Sequence, residues 1–238
     1  MIRINNLTKT YGDFTALDAL SLHVNEGEIY CLLGANGAGK TTTINLLLGF
    51  IKPTSGSAYI NDINVVEQPK LTKQHLAYIP ENLMLYPSLT AIENLDYFSG
   101  IANKKFKKGE LESFLEEAGL QTSAFNKSVA KYSKGMRQKV GIAIALAKDA
   151  KVLLLDEPTS GLDPKASNEF GQLLQKLRGK GVATLMATHD LFRAKEVATT
   201  IGVMKDGQLK QQWSVDELSL KELEDSYLET MSYNTLQS

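Results

Sequence analysis

The sequence predicts an α/β fold with a mostly parallel sheet, an antiparallel β portion at the N-terminus and an inserted helical subdomain. Three observations predict it. Short apolar runs of strand type alternate with amphipathic helical stretches, the pattern of a parallel sheet covered on both faces. One of those strands leads directly into the glycine-rich segment Gly34-Ala35-Asn36-Gly37-Ala38-Gly39-Lys40-Thr41 and then into a helix. Between about residues 83 and 150 the strand-type runs stop and the character becomes helical.

Taken in order, the chain opens with apolar runs at Ile2 to Ile4, Ala19 to Val24 and Glu28 to Leu33, separated by Gly12-Asp13, Asp18 and Asn25-Glu26-Gly27. A helix from Thr42 to Leu48 follows the glycine-rich segment. Ser57 to Ile60 and Leu76 to Ile79 are further strands, with Pro53 and Gly56 marking the turn between helix and strand. Leu111, Phe114, Leu115 and Ala118 recur at helical spacing, and Gly119 stands where a helix would end. A second helix from about Gly135 to Lys148 is apolar nearly all round and is expected to be buried. Val152 to Leu155 is a continuous strand-type run. The next helix carries Phe170, Leu173, Leu174 and Leu177 on one face and ends at Gly179 and Gly181. Val182 to Ala187 is another strand, with a helix from about Asp190. The tail from about Met231 has little reason to be ordered. These bounds describe one domain, with its core at about 1–82 and 151–230 and a helical subdomain at about 83–150.

Composition narrows the class. Hydrophobic residues make up 43% of the 238, enough for a sizeable core. Lys plus Arg number 26 against 27 for Asp plus Glu, a net charge of −1, so no nucleic-acid partner is expected. The basic run Lys104-Lys105-Phe106-Lys107-Lys108 reads as a solvated loop before the helix at Glu110, the alternative being a contact to anionic lipid heads or RNA. The single cysteine, Cys31, lies in a strand and excludes an intramolecular disulfide. No apolar stretch approaches the ~20 residues of a membrane span, and the N-terminus lacks a secretory pattern. The expected location is therefore cytoplasmic, with any membrane role supplied by a partner.

The glycine-rich segment follows the pattern G-x-x-x-x-G-K-[ST], which binds polyphosphate. Its glycines let the backbone curl so that successive N–H groups converge on phosphate oxygens. The following helix adds unpaired N-terminal amides and its positive dipole end. Lys40 reaches the β- and γ-phosphates, and Thr41 offers a hydroxyl to magnesium. A chance match in a chain this long arises about once in a hundred. The expected ligand is a nucleoside triphosphate with Mg2+, held by residues Gly34, Ala35, Asn36, Gly37, Ala38, Gly39, Lys40, Thr41 and Thr42. The second signal is the strand ending Leu155-Asp156-Glu157. Side chains alternate along a strand, so the two carboxylates are free to serve different tasks. Asp156 suits the magnesium shell, and Glu157 suits polarising the attacking water.

With these motifs in place, the chain resembles the nucleotide-binding subunit of an ATP-binding cassette (ABC) transporter over essentially its whole length. The resemblance rests on ordered elements. Tyr11 precedes the phosphate loop, and the signature segment Tyr132-Ser133-Lys134-Gly135-Met136 precedes the Asp156-Glu157 strand. Ser160-Gly161-Leu162-Asp163 follows that strand, and His189 ends the next one. The resemblance implies a phosphate-loop (RecA-like) ATPase core and a working dimer, either a homodimer or a pair with a second cassette. It implies that Tyr11 stacks on adenine, that His189 contacts the γ-phosphate, and that Ser133, Gly135 and Asp163 act on the nucleotide of the opposite subunit. It also implies an integral membrane permease as partner, with the chain peripheral on the inner face of the membrane.

Two departures from the family pattern stand out. The signature segment keeps Ser133 and Gly135 of the usual Leu-Ser-Gly-Gly-Gln but has Tyr132, Lys134 and Met136 at the other positions. Where the family usually has Gln, this chain has Glu81, after Pro80. A carboxylate there is a hard oxygen ligand for magnesium but adds negative charge beside the γ-phosphate. Glu81, Tyr86-Pro87 and the run Tyr132-Ser133-Lys134-Gly135-Met136-Arg137-Gln138 together resemble ATPases of exporters whose permease is a separate chain, among them the ATPase of the nitrous-oxide-reductase maturation transporter. Between Glu81 and Leu95, the apolar residues Leu83, Met84, Leu85, Tyr86, Leu89, Ile92 and Leu95 suggest a groove for a short amphipathic helix. The alternative is an ABC ATPase acting on ribosomes or DNA. Those relatives usually carry two cassettes or a long coiled-coil insertion, and this chain has a single cassette without sustained heptads.

Overall fold

The computed structural model describes residues 1–232. The strands are β1 (Ile2–Tyr11), β2 (Phe14–Val24) and β3 (Ile29–Leu33), followed by helix α1 (Lys40–Leu47), β4 (Ser55–Ile60), β5 (Ile63–Asn64), α2 (Pro69–His75) and β6 (Leu76–Ile79). Three helices then follow without a strand: α3 (Ala91–Ile101), α4 (Lys108–Glu117) and α5 (Lys134–Lys148). The chain continues through β7 (Val152–Asp156), α6 (Pro164–Gly179), β8 (Ala183–Thr188), α7 (Leu191–Val197), β9 (Thr200–Lys205), β10 (Gln208–Ser214) and α8 (Leu220–Ser232).

The strands form two sheets. A four-stranded antiparallel sheet runs β2-β1-β4-β5, and a six-stranded sheet runs β10-β9-β3-β8-β7-β6. Within the larger sheet every pairing is parallel except β10 with β9. Its central strands are buried on both faces because both are covered. Cys31, Leu153 and Met186 point into a core shared with Leu95, Leu115, Val140 and Phe170 of the helices. Tyr30, Leu154 and Leu185 point the other way, onto Ile44 and Leu47 of α1 and onto the antiparallel sheet. Continuous apolar runs such as Val152 to Leu155 are what such double burial requires.

Several elements differ from the sequence reading. The first two strands are longer than the runs that announce them, because bulges interrupt their alternation. Register shifts fall between Ile4 and Leu7 and between Leu7 and Lys9, and Asn6 and Ala19 adopt positive φ. Asp18, read as punctuation, therefore lies inside β2. The helices α2 and α8 and the hairpin β9–β10 were not singled out, since short or half-exposed segments carry weak periodicity. Met231 belongs to α8, so order extends past it, while the rest of the expected tail lies outside the described residues.

Candidate functional site

Parallel pairing brings the C-terminal ends of β3, β8 and β7 to one edge of the sheet. Leu33 pairs with Thr188, and Asp156 with Ala187, so the segments that follow these strands start at nearly the same level. This is where ligands bind in open α/β sheets. The strand between β3 and β7 is β8, which is last of the three in sequence. The fold thus inserts Thr188-His189 between the phosphate loop and Asp156-Glu157.

The loop after β3 is shaped by close approaches. Gly39 has φ +103°, and a Cβ there would lie 2.8 Å from the Ala16 carbonyl of β2. A Cβ at Gly34 would lie 2.5 Å from the Met204 carbonyl of β9. Only glycine fits both places. Gly39 is also the N-cap of α1, and among the described residues no side chain caps that helix and no acid occupies its first turn. The first-turn N–H groups of Lys40, Thr41 and Thr42 have no carbonyl within the helix to receive them. They leave an end suited to an anion, in which Ala35, Asn36 and Gly37 are exposed and Ala38 is buried.

Lys40 is buried and donates to the carbonyls of Gly34 at 2.5 Å and Ala35 at 3.1 Å. Burial pulls its ammonium below the usual lysine range, opposed by the charges of Glu157 and Asp156. Its Nζ is 3.8 Å from Glu157 Oε1, which is 2.9 Å from His189 Nδ1. Thr188 Oγ1 donates to Glu157 Oε2 at 3.3 Å and accepts from the Asp190 N–H at 3.1 Å. Thr41 Oγ1 donates to Asp156 Oδ1 at 3.3 Å. Burial raises the Asp156 carboxyl above its ordinary value, and the Thr41 bond counteracts this. Lys40, Thr41, Asp156, Glu157 and His189 are therefore brought together from three segments of chain.

Alternation along a strand does not explain how the two carboxylates diverge. β7 ends at Asp156, and Glu157 turns away with φ 47°, its N–H donating to the Ala187 carbonyl at 2.9 Å. A left-handed conformation at a non-glycine residue is costly and tends to occur where the surroundings hold a side chain in a particular place. Thr188 and His189 do that for Glu157.

Glu81 lies just beyond β6. Its carboxylate is close enough to Asp156 to raise the Asp156 pKa and is 3.8 Å from Lys134 Nζ. Tyr11 ends β1 in the hairpin with Phe14, half exposed, with Lys9 Nζ 4.7 Å from its ring centroid. One face of the ring thus carries a cation, as an aromatic quadrupole favours.

Ser133, Gly135 and Asp163 gather in a second cluster of their own. Ser133 caps α5 by accepting from the Met136 N–H at 3.2 Å, and Asp163 caps α6 by accepting from the Ala166 N–H at 2.9 Å. A Cβ at Gly135 would lie 3.2 Å from the Ala166 Cβ, so the starts of the two helices are packed together. Ser133 and Asp163 are exposed. A serine that accepts a capping bond keeps its own proton to donate outward.

Three residues joining these clusters were not assigned roles from sequence. Thr188 braces Glu157. Buried Gln138 donates to the Pro158 carbonyl at 3.2 Å, and Lys134 donates to the Ser160 carbonyl at 2.6 Å. Both tie α5 to the segment after β7. Lys134 stood in the signature segment as a departure, while Gln138 sits between Arg137 and Lys139 and carried no distinct signal. Beside them, Glu81, Leu83, Met84, Pro87, Arg137 and Gln138 help line a cavity of about 350 Å³.

The chain is similar to several known proteins. The family model described as ABC transporter matches residues 17–160. The uncharacterized ABC transporter ATP-binding protein YxlF of Bacillus subtilis (strain 168) is 36% identical over 247 residues, covering 98% of this chain and 81% of that protein. The bacitracin transport ATP-binding protein BcrA of Bacillus licheniformis is 38% identical over 234 residues, covering 96% and 74%. The solved dimeric, post-hydrolysis structure of the ATP-binding cassette MJ0796 bound to ADP and Pi superposes with a TM-score of 0.80. Its sequence identity is 30%, and the match covers 90% of this chain and 99% of that one. The chain belongs to the ABC transporter family, as an ATP-hydrolysing, ATP-binding subunit.

Proposed function

We propose that two copies of this chain, or one copy and a second cassette, close around two ATP molecules and drive export through a separate membrane permease. The observation that carries this reading is the convergence of Lys40, Thr188 and His189 on Glu157, at the mouth of an uncapped helix. In this arrangement the loop amides and Lys40 hold the β- and γ-phosphates, and Tyr11 stacks on adenine with the face that Lys9 leaves open. Glu157 accepts a proton from the attacking water, and its position is set by Thr188. His189 donates to the γ-phosphate. Ser133, Gly135 and Asp163 meet the γ-phosphate side of the nucleotide held by the opposite subunit.

Magnesium fits the donor set. Thr41 Oγ1 and Asp156 Oδ1 are hard oxygens 3.3 Å apart, with the Glu81 carboxylate nearby. Among the described residues no group of three His, Cys, Asp or Glu side chains forms a cage. That suits an ion which keeps several waters and takes the rest of its ligands from phosphate. When bound, the ion would neutralise charge on the β- and γ-phosphate oxygens.

The permease contact is proposed for the cavity between Glu81 and α5 and the exposed side chains at its rim. Met84 is 82% exposed, and Tyr86 and Tyr97 stack edge to face at 4.7 Å with their hydroxyls 3.0 Å apart. Apolar side chains around a concave site suit an amphipathic helix. Among the described residues no helix is long and apolar enough to cross a membrane, so membrane attachment is assigned to the permease. The chain would then sit at the cytoplasmic face. A photo-crosslinker at Met84 or Tyr86 tests this in cells. Capture of an integral membrane protein, with a yield that changes in the Glu157→Gln background, is expected. Capture of ribosomal proteins alone would replace transport with a ribosomal role.

A further inference from the structure

The two departures from the family's usual motifs meet in space. Lys134 Nζ lies 3.8 Å from Glu81 Oε1 and donates to the Ser160 carbonyl at 2.6 Å. Lys134 is the first residue of α5, where the helix dipole is positive, and no acid occupies that first turn. A cation at this end is unfavourable on its own. The nearby Arg137 does not compensate it, being a second cation whose guanidinium donates to the Tyr132 carbonyl at 2.6 Å. The compensating negative charge comes from Glu81, on a different element.

The same pairing resolves a difficulty at the other end. Glu81 brings a third carboxylate to an edge that already holds Asp156 and Glu157, beside the loop that takes a polyanion. Like charges gathered there would repel the phosphates unless one is neutralised. We propose that Lys134 is a positioning residue for ATP binding, holding Glu81 neutralised and fixed beside Asp156 so that the two departures work as one charge-balanced unit. Because Ser160 lies three residues beyond Glu157, a single ammonium joins the end of β6, the start of α5 and the segment after β7. The inference rests on the reading of Glu81 as a neighbour of the magnesium site.

A double-mutant cycle on the full chain tests it. Binding of a fluorescent ATP analogue is titrated in EDTA for wild type, E81Q, K134Q, K134R and E81Q/K134Q, and magnesium is titrated in hydrolysis for wild type and E81Q. In EDTA, K134Q should weaken binding about three- to fivefold, the span of a partly exposed ion pair. K134R should restore most of that loss. In the E81Q background K134Q should have almost no further effect, because the charge it leaves unpaired is already gone. Equal loss from K134Q in both backgrounds, or no loss in either, overturns the inference and leaves Lys134 with only a packing role. Superimposable magnesium titrations together with coupling in EDTA would support the pair and remove only the magnesium reading of Glu81.

Discussion

The phosphate-loop end of the molecule draws its side chains together, whereas the signature end leaves Ser133 and Asp163 exposed. Lys40, Thr41, Asp156, Glu157, Thr188 and His189 contact one another, and Lys40 and Asp156 are buried. Ser133 and Asp163 are exposed, and their recorded bonds cap their own helices. On the proposed reading, one region is finished by folding and the other by association. Such a division suits a chain that shares both halves of a site with another chain.

The largest expected effect comes from joining the two ends permanently. Glu157→Gln removes the group proposed to take the proton from water while leaving the phosphate contacts in place. Hydrolysis should fall by about 10²- to 10⁴-fold, the usual share of a general base. Light scattering with ATP and magnesium should then report twice the monomer mass. A strictly monomeric Glu157→Gln chain at micromolar concentration would break the comparison, since the signature end would have nothing to meet.

A second test separates capping from phosphate contact. Ser133→Asp keeps a residue that caps as well as serine, so the melting temperature should stay within about 2 °C. It places a carboxylate where the opposite γ-phosphate is proposed to arrive, and hydrolysis should drop by about a hundredfold. Lys40→Ala should weaken ATP binding about ten- to a hundredfold by removing a charge-assisted contact. Mixing the two inactive variants creates heterodimers with one intact composite site, and activity should return to about a quarter of wild type for independent sites. No recovery on mixing would mean that each chain works with its own signature segment.

The smallest effect sharpens the burial side of the comparison. Burial holds the Asp156 carboxyl pKa above its unfolded value, so its ionised form costs stability at neutral pH, and that cost disappears as the pH falls below the unfolded value. Asp156→Asn should therefore raise the melting temperature of the nucleotide-free chain by about 2–4 °C at pH 7, with hydrolysis lost. The gain should shrink as the pH enters the carboxylate range. A lower melting temperature at pH 7 would show that Asp156 is held by its hydrogen bond more than it is penalised by burial.

Legibility in the sequence followed the same division. The phosphate loop could be read because its glycines and Lys40 are constrained by local geometry, and Val152 to Leu155 because double burial demands an unbroken apolar run. That β8 lies between β3 and β7 was not legible, since strand order is set by packing of distant segments. The left-handed turn at Glu157 was hidden for a similar reason, being imposed by Ala187 and Thr188 some thirty residues downstream. The Lys134–Glu81 pair lay in plain view as two separate oddities. Only the fold puts them within reach of one another.

The uncapped start of α1 has a consequence for how this protein is handled. No side chain caps its first amides, so a polyphosphate bound there would take the place of the missing cap. Any ligand bound only by the folded form adds RT ln(1 + [L]/Kd), about 2.7 kcal/mol at a hundred times Kd. Purification that strips nucleotide would thus yield a weaker protein than the one the cell contains. Amide exchange at Lys40, Thr41 and Thr42 would be the first place to see the loss.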